Sequence, residues 1–125
     1  MDFLKLLRNW KDVEEHGAQT VIFQENNPAD ALFIIISGEV EITLHGEYLG
    51  TEGKGGIIGE MAVTPSATQN ASATSITDVK LARVNREQLA DLMSESTEFS
   101  LHVMATLANR LRAVNLFIRA RLESA

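Results

Sequence analysis

Cysteine is absent from the chain, so it has no disulfide framework, no thiol nucleophile and no thiolate metal ligand. Positive charge is scarce: 11 Lys and Arg stand against 17 Asp and Glu, a formal net charge of -6. Non-specific binding to nucleic acid or to an anionic membrane needs positive surface, so this balance argues against both. An anionic ligand would need local help for the same reason. The three histidines, His16, His45 and His102, lie far apart and form no His-x-His pair. A metal-binding β-barrel enzyme needs closely spaced histidines with a carboxylate, so no metal site is expected. No Ser-His-Asp or paired-carboxylate arrangement can be assembled either, and the chain is not expected to be an enzyme. No apolar run reaches a membrane span. The start, Met1-Asp2-Phe3-Leu4-Lys5-Leu6-Leu7-Arg8, lacks the long apolar core of a signal peptide, so a cytoplasmic location is expected.

What is present reads as one domain over residues 1–125, long enough to bury a core. Phe3, Leu4, Leu6, Leu7 and Trp10 recur at helical spacing, which predicts an amphipathic helix over about 2–11 docked on a barrel or on the last helix. Its lack of a basic face argues against a membrane anchor. A β-roll is expected over about 13–84. Within it, Thr20-Val21-Ile22-Phe23 is β-branched and aromatic, a strand signature. Ala31 to Ser37 is apolar throughout and reads as a fully buried strand, broken by Gly38. Glu39 to Leu44 alternates, which predicts a strand with one wet face, and His45-Gly46 is a hairpin turn. Asp78 to Val84 alternates again. Many short strands with frequent turns indicate a sandwich or barrel.

The period then changes. Asn85, with Gln88 three residues on, marks a capping box, and helices are expected over about 86–122. In the last of them Met104, Leu107, Leu111, Val114 and Ile118 are spaced 3, 4, 3 and 4, a heptad seam. Leu101, Ala108 and Phe117 widen the apolar surface beyond one stripe, so more than one side must be buried. One face is expected on the barrel and a second in a parallel homodimer. Arg110, Arg112, Arg119 and Arg121 form either a solvated face or include one that reaches a ligand or a partner's carboxylate.

The stretch Gly55 to Ser72 carries the candidate chemistry. Gly59 frees the backbone for a tight approach, and Glu60-Met61-Ala62-Val63 forms about one helical turn ended by Pro65. Unpaired amides at such a start suit an anion. Glu60 suits a ligand hydroxyl, or simply the helix dipole. The glycine-rich loop Gly50 to Gly56 matches neither nucleotide fingerprint: no Ser or Thr follows Gly53-Lys54, and Ile58 stands where a third glycine would fall.

Gly59-Glu60-Met61-Ala62-Val63 resembles the opening of the phosphate-binding cassette of cyclic nucleotide-binding domains, the catabolite-activator and protein kinase A regulatory-subunit type. Ala31 to Ile42 resembles the same family's central hairpin. With the long final helix, the resemblance covers nearly the whole chain. It implies a mainly β fold: an antiparallel, jelly-roll-like β-roll (a double-stranded β-helix) flanked by an N-terminal helix and a long C-terminal helix. It implies cAMP or cGMP as ligand and no other cofactor. The ligand-binding set it implies is Gly59, Glu60, Met61, Ala62, Gln69, Asn70 and Ser72, with the amides of Ala62 and Asn70 on the phosphate. A serine on a barrel wall also accounts for Ser72. The family's cassette arginine, which pairs with the cyclic phosphate, falls on Gln69, and no arginine occurs between Trp10 and Leu81. A glutamine donates hydrogen bonds but neutralises no charge. Losing the charge-assisted bonds weakens binding by about ten- to a hundredfold. A substitute cation would come from Lys54 or a helix arginine.

The expected role is a non-catalytic sensor that binds cAMP or cGMP weakly, or another small anion, and transmits the event through the C-terminal helix to a dimer, a partner or an output domain. The alternative is a ligand-free, degenerate domain kept as a dimerisation or docking scaffold. No helix-turn-helix pattern follows the last helix, so a chain ending at Ala125 is not expected to bind DNA itself.

Overall fold

A computed structural model describes residues 3–124. Among the described residues, eight strands form two four-stranded antiparallel sheets. The strands are β1 (Val13–His16), β2 (Val21–Phe23), β3 (Ala31–Ser37), β4 (Val40–Leu44), β5 (Glu47–Glu52), β6 (Ile57–Ile58), β7 (Ser72–Ser75) and β8 (Val79–Asn85). One sheet runs in the order β1-β8-β3-β6 and the other β2-β7-β4-β5. Helices α1 (Arg86–Glu95) and α2 (Thr97–Glu123) follow. This is the expected β-roll with a long C-terminal helix.

The apolar run of β3 is explained by burial on both of its faces. Ile35 joins Val40, Ile42, Ile58, Ala73, Val79 and Leu81 in a cluster that links the two sheets. Leu32 and Ile34 point the other way, into a cluster with Leu89, Leu92, Phe99 and Val103 of the helices and Leu7 of the N-terminal segment. β4 keeps its alternation because Val40 and Ile42 are buried while Glu41 and Thr43 are not.

Turn chemistry closes the roll. Gly38 has φ +95°, and a Cβ there would lie 2.3 Å from the Asp78 carbonyl oxygen, so only glycine fits the bend between β3 and β4. Asn85 and Gln88 form the reciprocal capping box of α1, with bonds of 2.8 and 2.9 Å. Ser96 caps α2 by accepting from the Phe99 amide at 3.1 Å.

The N-terminal segment differs from the helix expected over 2–11. It is a short 3-10 helix, Phe3–Leu7, and Asp2 lies outside the described residues. The chain turns away early because the Trp10 amide bonds to the Leu7 carbonyl at 2.9 Å and the Trp10 indole Nε1 donates to the Arg83 carbonyl at 2.9 Å. That anchor leads directly into β1 beside β8.

The expected seam of α2 is divided between two faces. Leu107 and Val114 are half-buried, and Leu107 packs on the helix-side core. Met104, Leu111 and Ile118 are exposed, together with Leu101, Ala108 and Leu122. A straight helix resting on a roll turns its 3-4 periodic rows to opposite sides, so one sequence stripe cannot serve both contacts. Among the described residues, no helix is long and apolar enough to cross a membrane.

Candidate functional site

Glu60 opens a 3-10 turn, Glu60–Val63, immediately after Gly59, whose φ of 75° places it in the left-handed region. That geometry turns the Glu60 side chain inward, where it is only 7% exposed. A carboxylate this deep must be paired. Its partner is Arg110, fifty residues on, reaching in from the middle of α2. Arg110 Nη1 donates to Glu60 Oε1 at 3.1 Å and to Oε2 at 3.2 Å. Its Nη2 donates to Glu52 Oε1 and to the Ile57 carbonyl, each at 3.3 Å. One guanidinium thus joins the end of β5, strand β6, the 3-10 turn and α2. Glu60 and Glu52 together exceed the charge of Arg110, leaving the cluster one negative charge in excess.

Beside this cluster, a cavity of about 90 Å³ lies between the β4–β5 hairpin and α2. Ile42, Leu49, Gly50 and Thr51 line its roll side, and Asn109, Arg110 and Ala113 its helix side. The helix is fastened a second time one end further along: His102 Nε2 bonds to the Gly55 carbonyl oxygen at 2.8 Å. The glycine loop it grips is held to β3 by Gly55 N to Ile35 O at 2.7 Å and Ile35 N to Gly56 O at 2.9 Å.

Gln69 is 4% exposed and sits against Gly59, where a Cβ would lie 3.2 Å from its Nε2. Its backbone is tied to the β2–β3 turn by 2.8 Å bonds to Asn26 N and Asn27 O. It opens into a different cavity, about 230 Å³, shared with Phe23, Phe33, Asn27, Asp30 and Arg83. Glu60 and Gln69 are therefore both buried and adjoin the same glycine, but Gln69 does not line the cavity beside Arg110.

The other expected site residues are spread around the turn. Ala62 is buried and its amide bonds to the Gly59 carbonyl at 3.1 Å. Met61 packs beside the helix-side core, and Asn70 is exposed. The Ser72 hydroxyl accepts from the Glu25 amide at 3.0 Å, a bond between β7 and the turn after β2. Lys54 is exposed. Sequence reasoning missed Glu52, the Ile57 carbonyl, Arg83 and His102. It placed Arg110 only within a group of four arginines. Burial now separates that group: the Arg110 side chain is 12% exposed, Arg121 pairs with Glu47 and lies 5.1 Å over the Phe117 ring, and Arg112 and Arg119 are exposed. Among the described residues, no three His, Cys, Asp or Glu side chains gather as metal ligands would.

Comparison with known proteins adds to this geometry. The profile of the family described as "Cyclic nucleotide-binding domain" matches residues 13–96. The chain is 32% identical over 99 residues to a CRP-like cAMP-activated global transcriptional regulator of Mycobacterium tuberculosis, covering 75% of this chain and 44% of the regulator. It is 30% identical over 125 residues to the cGMP-dependent protein kinase egl-4 of Caenorhabditis elegans, covering 93% of this chain and 16% of the kinase. The chain thus spans less than half the length of either curated relative. Among solved structures, it is similar to the Thermus thermophilus catabolite activator protein with a TM-score of 0.74 and 25% identity, over 95% of this chain and 58% of that one.

Proposed function

Because this chain belongs to the cyclic nucleotide-binding domain family, we propose that it is a non-catalytic sensor whose ligand enters between the β4–β5 hairpin and α2 and displaces the Arg110 clamp. The ligand proposed is cAMP, cGMP or another small anion, bound weakly. The names of the two relatives, cAMP-activated and cGMP-dependent, point to this ligand class. The observation that carries the reading is the guanidinium of Arg110, buried and shared by Glu60, Glu52 and the Ile57 carbonyl.

The physical sequence runs from charge to movement. A ligand phosphate competes with Glu60 and Glu52 for Arg110, and it is the helix cation that offsets the missing cassette arginine. Glu60, released from Arg110, accepts from a ligand hydroxyl. The cavity of about 90 Å³ is well below the roughly 300 Å³ at which small-molecule sites begin, so entry requires α2 to move away from the hairpin. Binding energy spent on that movement lowers affinity and couples the site to the helix. The exposed row on α2 is the proposed homodimer contact through which the movement is read.

Scanning calorimetry with cAMP and with cGMP tests this. A ligand at a hundred times its Kd stabilises the fold by about 2.7 kcal/mol, and Glu60→Ala removes the response. Gln69 does not line this cavity, so Gln69→Arg is expected to leave the response unchanged unless the phosphate sits instead beside Gly59, where the added cation would tighten binding about tenfold or more. A second reading, a ligand-free scaffold, draws on the neutral Gln69 and the small cavity. If neither the native chain nor Gln69→Arg responds to either nucleotide while the dimer persists, the sensor reading falls and the scaffold reading stands.

A further inference from the structure

Seven residues of α2 share one outward line: Leu101, Met104, Ala108, Leu111, Asn115, Ile118 and Leu122, all exposed and spaced alternately 3 and 4. Labelled as a heptad, Leu101, Ala108, Asn115 and Leu122 occupy a, and Met104, Leu111 and Ile118 occupy d. Position c, away from that line, meets the roll: Val103 is buried and Arg110 reaches Glu60, while Arg121, at the flanking g position, pairs with Glu47. The docking on the roll therefore leaves the whole a/d line facing outward. One member of that line, Asn115, is polar.

We propose that Asn115 sets the orientation and register of this line against a second copy of the chain. The proposal rests on the reading that α2 pairs in parallel, and adds which residue fixes that pairing. In a parallel, in-register pair, a faces a, so the two Asn115 amides meet and bond to each other. In an antiparallel pair, a faces d, and every d residue is Met, Leu or Ile. Each Asn115 would then be buried against an apolar side chain with its amide unpaired, at a cost. A one-heptad slip in the parallel pair sets Asn115 against Ala108 or Leu122, with the same cost.

The flanking charges agree. Position e carries the exposed Arg112 and Arg119. A parallel pair sets them beside the g positions of the second copy, Leu107 and Val114, which carry no charge. An antiparallel pair sets e against e and brings arginine toward arginine. A partner of other sequence would have to supply a polar group at the one level where Asn115 stands, and a second copy supplies it by symmetry.

The lack of native cysteine makes the test direct. Leu122→Cys adds a single thiol at the last a position. In a parallel, in-register dimer the two thiols meet and link under mild oxidation. In an antiparallel dimer they lie about 30 Å apart, twenty-one residues of helix rise, and do not link. The native chain is expected to sediment as a dimer, and Leu122→Cys to link almost completely. Asn115→Ile lies on the exposed face and keeps the fold. It is expected to associate about tenfold more tightly, yet to sediment as dimers mixed with larger species and to link through Leu122→Cys less completely. An Asn115→Ile dimer of unchanged size and linking, or a native dimer whose Leu122→Cys form stays unlinked, overturns the proposal and leaves the pairing of α2 standing. A native chain that stays monomeric at its highest soluble concentration overturns the pairing and the proposal together.

Discussion

Arg110 and Glu60 are the most consequential pair in the molecule, because each is buried and each depends on the other. The Glu60 side chain is 7% exposed and Arg110 12%, so neither is well solvated if its partner is removed. Arg110→Met leaves two carboxylates beside each other with no cation, and is expected to cost about 3 kcal/mol in urea unfolding. Arg110→Met combined with Glu60→Leu removes both charges and is expected to recover most of that loss; a double variant no more stable than Arg110→Met would refute the account. Gly38→Ala is a backbone test of a different kind. Its Cβ would overlap the Asp78 carbonyl at 2.3 Å with φ at +95°, so a loss of roughly 2 kcal/mol or more is expected in the same assay. At this scale the sequence was only partly legible. Glu60 stood out because a glycine and a short turn framed it. Arg110 did not, because it is one of four arginines on one helix, and only the rotation of that helix on the roll decides which one enters. Gln69 was placed by counting along the cassette, but its neighbour Arg83 comes from β8, and nothing local ties residue 69 to residue 83.

The elements were legible where the period was clean. The capping box at Asn85 and the alternation of β4 and β8 follow from local rules, and the structure has the cap at that residue and the strands within one residue of their expected bounds. The apolar β3 was also readable, since a strand buried on both faces has no polar side to alternate with. The start of the chain was not, because helical spacing in Phe3 to Trp10 competes with a tertiary bond from Trp10 to Arg83 that no local pattern announces. Helix α2 makes the same point in another way. Its apolar residues were visible, but the roll takes Leu107 and Val114 and leaves Met104, Leu111 and Ile118 in solvent. A matched pair of substitutions separates the two faces. Leu107→Asp buries a charge against the helix-side core and is expected to destabilise the fold by about 2–4 kcal/mol. Leu111→Asp, at a position 62% exposed, is expected to change fold stability by less than about 0.5 kcal/mol while abolishing dimerisation. Circular dichroism on heating and light scattering after gel filtration read the two effects. Loss of fold in Leu111→Asp, or a surviving dimer, would contradict the assignment of faces.

At the scale of the whole molecule, the Arg110 clamp and the proposed dimer contact lie on one helix. α2 carries Arg110 and His102 on the face toward the roll and the heptad line on the opposite face, so any motion that frees the first reorients the second. Linkage makes the coupling reciprocal: a ligand that changes the dimer constant must bind dimer and monomer with affinities differing by the same factor. Charge sets the background against which this operates. Each chain carries a formal -6, so a dimer brings -12 together (twice -6). That repulsion opposes association and is screened by salt, whereas the apolar a/d contact is not. The dimer constant is therefore expected to tighten by roughly threefold when salt is raised from about 0.05 to about 0.5 M, where the Debye length falls well below the span of the charges. Sedimentation velocity across that range measures it. A dimer held mainly by ion pairs between the copies would weaken with salt, so a dimer constant that loosens over the same range would show that opposite charges, rather than the apolar line of α2, hold the two chains together.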